Sequence, residues 1–110
     1  MGQGGGGDKP AYVVQRRDYL EACLANEHPD IRRAVLGEIA SIAEDPLNPD
    51  GVHVDEWPSP ERPNRYWARL TGHWNLLFRL SQPSPERFGR GIIYPEVLIK
   101  VLDGEPPGDN

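Results

Sequence analysis

Residues 65–80, Arg-Tyr-Trp-Ala-Arg-Leu-Thr-Gly-His-Trp-Asn-Leu-Leu-Phe-Arg-Leu, constrain the fold more than any other part of this chain. Apolar and polar positions alternate on both sides of Thr71-Gly72-His73, which predicts two strands joined by a tight turn. Successive strand side chains point to opposite faces, so Tyr66, Ala68 and Leu70 share one side and Arg65, Trp67 and Arg69 the other. One face can pack on a core. The opposite face presents guanidinium groups around an indole, a surface suited to a polyanion or an acidic protein segment.

The rest of the chain supplies what such a hairpin packs against. Ala11-Tyr-Val-Val-Gln15 reads as a short first strand. Residues 16–26 place Tyr19, Leu20, Cys23 and Leu24 at helical spacing. Pro29 stands at the first turn of a second helix, whose stripe is Ile31, Val35, Ile39, Ile42 and Ala43 and whose stop is Asp45-Pro46. A long Pro-, Asp- and Asn-rich connection spans 45–64, with one short extended piece at Val52-His53-Val54. After a polar loop at 82–91, residues 92–102 form a last strand in which Pro95 belongs at the start or at a bulge. The predicted architecture is α+β, a helical hairpin on one face of a small, mainly antiparallel sheet in the order β-α-α-β-β-β. Its core includes Val97, Ile99 and Val101; its uncovered face holds Arg65, Trp67, Arg69, Asn75, Leu77, Arg79, Leu98 and Lys100. A one-residue slip in register exchanges the two sets.

The folded unit is expected over 11–102, between a glycine-rich tail at 1–10 and an acidic tail at 103–110. The first ten residues hold no apolar h-region and no long apolar run follows, so neither a secretory signal nor a membrane span is expected, and the chain reads as cytoplasmic. Cys23 stands alone and reads as a small buried hydrophobe. The net charge of −5 hides an asymmetry. Residues 18–56 carry ten acids against two arginines, whereas residues 57–100 carry seven bases against three acids. Ten of the twelve bases are arginine, which favours planar contacts with phosphate or carboxylate.

Known catalytic signatures are missing. The three histidines lack a ligand spacing and one cysteine makes no zinc site, so no metal is expected. Gly4–Gly7 is followed by neither a Lys-Ser/Thr pair nor a strand–helix context, and no cofactor is implied. Cleavage of a phosphodiester by the ribose 2′-hydroxyl needs a base, an acid and cations for the added charge. Arg65, Arg69, Arg79 and Lys100 are the candidate cations, and Glu56 or His73 the candidate base. Trp67 is a candidate to stack a base, whereas Trp57 and Trp74 read as core or loop anchors. His28 and His53 read as capping and loop residues.

The element order, the helix stop at Glu44-Asp45-Pro46 and the block Tyr66-Trp-Ala-Arg-Leu-Thr-Gly-His-Trp-Asn-Leu-Leu-Phe78 together resemble the RelE/ParE toxin superfamily of bacterial toxin–antitoxin systems. The likeness covers about residues 11–102 and is nearest to YoeB-like members. It implies a toxin that cuts mRNA on the ribosome and is held inactive by a cognate antitoxin. By this resemblance Arg69 matches the arginine of the basic strand, Arg65 is its neighbour, and Glu56 lies one position from the family's general base. Asn75 stands where a second arginine is usual, and Asp103-Gly-Glu-Pro-Pro replaces the usual His-Tyr or Arg-x-x-Tyr ending. These departures leave two alternatives open, a catalytically degenerate protein-binding module and a ParE-like gyrase inhibitor.

Overall fold

The structure is a computed structural model and describes residues 12–101. Ala11, Leu102 and the two predicted tails lie outside the described residues. The elements run β1 (Tyr12–Val14), α1 (Arg17–Cys23), α2 (Pro29–Glu44), β2 (His53–Glu56), β3 (Arg65–Arg69), a 3-10 turn (Thr71–His73), β4 (Trp74–Ser84), a second 3-10 turn (Pro85–Arg87) and β5 (Arg90–Lys100). They make an α+β domain in which the sheet order is β1-β5-β4-β3-β2. β1 lies parallel to β5 and every other pairing is antiparallel. The strand β2 is more than the expected extended piece: it pairs with β3 over its full length and becomes one sheet edge.

Both helices pack on one face of the sheet. Leu20 and Leu24 near α1 and Val35, Ile39, Ile42 and Ala43 of α2 meet Ala68, Leu70, Leu76, Phe78, Leu80, Ile93 and Leu98 in one core. Each buried Val, Leu or Ile contributes about 1.5–3 kcal/mol. The start of α2 is fixed locally: Pro29 sits in the first turn, and His28 caps the helix by accepting the Asp30 N–H on Nδ1 at 3.0 Å. Cys23 is half-buried against this core.

The strand β5 departs from simple alternation, and this corrects the predicted register. Phe78 faces Pro95 but Leu77 faces Val97, so Glu96 is an extra residue in a β-bulge. Proline has no N–H to give the ladder, which is why a bulge tolerates it. Beyond the bulge every side chain changes face. Leu98 is buried and Ile99 is exposed, the reverse of the expectation, while Val97 and Val101 are only half-buried. The outer edge of the bulge is closed by side chains rather than by a strand. Arg16 donates to Pro95 O at 2.6 Å and Glu96 O at 3.1 Å, and the Leu98 N–H donates to the Tyr19 hydroxyl at 2.9 Å.

Candidate functional site

The face of the sheet away from the helices is built row by row from the strand register. His53 pairs with Arg69, Asp55 with Trp67, Arg69 with Asn75, Trp67 with Leu77, and Arg65 with Arg79. Paired residues share a face. This face therefore brings Arg65, Trp67, Arg69 and Arg79 together as expected, and adds His53 and Asp55.

Its centre is a carboxylate. Glu96, turned onto this face by the bulge, has a side chain only 6 % exposed and lies among three guanidiniums. Arg65 Nε donates to Oε1 at 3.0 Å, while Arg79 Nε stands 2.7 Å and a terminal nitrogen of Arg62 3.3 Å from Oε2. The two approaches to Oε2 are ion pairs without hydrogen-bond alignment, so that oxygen accepts no directed N–H. Aromatic rings back the cations: Arg65 lies 5.4 Å from the centre of the Trp57 ring, Arg79 4.5 Å from Tyr94 and Arg69 5.1 Å from Trp67. The connection 57–64 thus lays Trp57 and Arg62 onto this face.

Trp67 is not an open platform. It is 6 % exposed, with Nε1 donating to Asn75 Oδ1 at 2.8 Å. Asn75 in turn donates to His73 O at 3.0 Å and is itself buried. The expected stacking role for Trp67 is corrected on this ground. A buried indole needs a partner for its N–H, and Asn75 supplies it.

Two further predicted residues fall elsewhere. Glu56 pairs with Tyr66, whose ring packs on the helix-side core, so its carboxylate is on the opposite face from Arg65 and Arg69. Lys100 pairs with Trp74 on the helix side, where its ammonium binds Glu27 Oε1 at 2.9 Å. The bulge at Glu96 is what moved it. Glu27 also accepts the indole N–H of Trp74 at 2.9 Å and the His28 N–H at 3.0 Å. Lys100 first, then these two N–H donors, hold its carboxyl down to about 2.

Sequence reasoning missed His53 and Asp55. Nε2 of His53 is 2.8 Å from Asp55 Oδ2, and both side chains are more than half or about half exposed. In the tautomer that donates from Nε2 to Asp55, Nδ1 carries the lone pair. The signal was present as the i, i+2 spacing in Val52-His-Val-Asp55, one face of a strand, but it lay inside a segment read as a loop. Beside Arg69, a small cavity of about 150 Å³ is bordered by His73, Asn75 and Val101. A larger one, about 360 Å³, lies between β1, α1 and α2, and none of the arginines of the sheet face lines it.

His53 therefore shares a cross-strand row with Arg69, and its partner Asp55 lies in the adjacent row of the same face. Among the described residues no three His, Cys, Asp or Glu side chains cluster as a metal site, and no helix is long and apolar enough to cross a membrane. No protein-family model matches the chain, and neither a curated protein nor a solved structure matches it at a significant level.

Proposed function

We propose that this chain is the toxin component of a type II toxin–antitoxin pair, a RelE/ParE-like, metal-independent endonuclease that cuts mRNA on the ribosome. The observation that carries this reading is the His53–Asp55 pair in register with Arg69, on the same sheet face as Arg65 and Arg79. In the proposed reaction, Nδ1 of His53 takes the proton of a ribose 2′-hydroxyl while Asp55 orients the ring. The 2′-oxygen attacks phosphorus, the bond to the 5′-oxygen breaks, and water protonates the leaving oxygen. The products are a 2′,3′-cyclic phosphate and a 5′-hydroxyl end. Arg69, in the row of His53, offsets the charge that accumulates on the phosphoryl oxygens, while Arg65 and Arg79, about 13 Å further along the strands and held by Glu96, face the flanking RNA backbone. The cognate antitoxin is expected to cover this face in the resting cell.

Primer extension on cellular mRNA after induced expression tests the proposal. Cleavage and growth arrest are expected from the wild type. His53→Ala should lower cleavage about 10²- to 10⁴-fold, the usual contribution of a positioned acid or base. Arg69→Ala should relieve the arrest. A harmless wild type with intact mRNA overturns the nuclease reading.

A second reading, the catalytically degenerate binding module, draws on Glu96 and Trp67. Three of the arginines already surround a buried carboxylate, and the indole is sealed. Under this reading a small protein partner co-purifies at near-equal stoichiometry, and no mRNA is cut. Growth arrest that depends on His53 decides against it.

A further inference from the structure

The hairpin between β4 and β5 carries a side chain that the candidate site does not use. β3 accompanies β4 only to Arg79, with one more contact from the Leu80 N–H to Asn64 O. β1 covers β5 only at Gly91–Ile93. Residues 82–90 therefore run past the sheet as a ribbon closed by the 3-10 turn.

At the tip, Phe88 is 95 % exposed and has φ +57°, followed by Gly89 at +80°. A bulky L-residue in the left-handed region carries a cost that glycine avoids. Five hydrogen bonds maintain it. Phe88 N–H donates to Pro85 O (3.0 Å), Gly89 N–H to Ser84 O (2.9 Å) and Glu86 N–H to Ser84 Oγ (3.1 Å). Arg87 spans the loop, donating from Nε to Arg90 O (3.2 Å) and from a terminal nitrogen to Gln82 O (2.6 Å). A lone exposed apolar residue is ordinary on a protein surface. The braced backbone fixes where the ring projects, between Arg87 and Arg90, which lowers the backbone part of the ordering cost of meeting a flat partner.

We propose that Phe88 is a stacking wedge for an unpaired RNA base, with Arg90, and the N–H groups of Arg87 that do not brace the loop, against the flanking phosphates. The polymer is taken as RNA from the function proposed above; the contact lies outside the His53–Arg69 site. Charge favours nucleic acid over an apolar protein or lipid pocket: the tip holds two arginines against Glu86, and it extends the strand that carries Arg79.

The test uses the His53→Ala chain, which should not consume its ligand, with a labelled single-stranded 12-mer RNA in one arm and ribosomes in the other. Adding Phe88→Ala should weaken binding about 5- to 150-fold, the range for loss of one base–aromatic stack. Phe88→Trp should retain affinity, and Phe88→Leu should behave like the alanine variant because it lacks a π-face. The melting temperature should stay constant, since the ring is in solvent. A loss in the 12-mer arm assigns free single strands; a loss on ribosomes, with a photo-crosslink from position 88 to ribosomal RNA, assigns that source instead. No binding in either arm, equal affinity of the Phe88 variants, rescue by leucine, or a crosslink to a ribosomal protein each overturns the proposal. Phe88-dependent binding by a chain whose wild type never cuts mRNA would sink the nuclease reading alone. Normal cutting with a neutral Phe88 would sink this inference alone.

Discussion

Asn75 illustrates how one buried polar side chain can set the character of a surface. Its amide accepts the Trp67 indole N–H and donates to His73 O, which also accepts the N–H of Val101. Asn75→Ala leaves a buried indole N–H without a partner, which costs about 1–3 kcal/mol. Thermal unfolding should register this as a lower Tm, and Asn75→Asp should be no milder, because the carboxylate keeps the acceptor for Trp67 but is buried with one oxygen facing the His73 carbonyl. Asn75 was legible as a departure from the arginine expected there. Its consequence was not, because only the cross-strand register shows that residues 67 and 75 sit diagonally on one face.

Among the elements, the connection between α1 and α2 is tied to the far end of the sheet through Glu27. Its carboxyl is depressed to about 2 by Lys100, the His28 N–H and the Trp74 N–H. A depressed acid contributes stability that is fully present above its unfolded value near 4.5 and is lost as pH falls toward about 2. Tm should therefore drop through that window in the wild type, and the drop should be shallower in Glu27→Gln. Equal slopes for the two chains would show that the link is energetically silent. The bulge at Glu96 is the other decisive element. Proline at 95 announced it, yet only pairing with β4 reveals which residue is extra and hence which side chains change face.

For the whole molecule, the charge asymmetry of the sequence becomes a two-sided object. The acids of residues 18–56 are spread over the helices, their connections and β2, while guanidiniums collect around Glu96 on the sheet face away from the helices. Glu96→Gln removes the single negative charge among Arg62, Arg65 and Arg79. Because two of those arginines are about half exposed, the expected loss is about 1–3 kcal/mol, below that of a fully buried pair. The same change should tighten RNA binding and steepen its dependence on salt, since more positive charge then meets phosphate. Denaturant titration and binding at two salt concentrations measure the two effects separately; unchanged salt dependence would place the ligand elsewhere.

Hydrophobic spacing alone determined the α+β class, the two helices, the hairpin at 65–80 and the shared face of Arg65, Trp67 and Arg69. Those features are local: they depend on periods of 3.6 and 2 and on turn chemistry. What the tertiary structure decided is non-local. The fifth strand, the reversal at Glu96, the loss of Lys100 and Glu56 from the arginine face, and the meeting of His53 with Arg69 each depend on which strands lie side by side. A sequence carries its own alternation on its surface, but register is a relation between segments, and one inserted residue is enough to invert it.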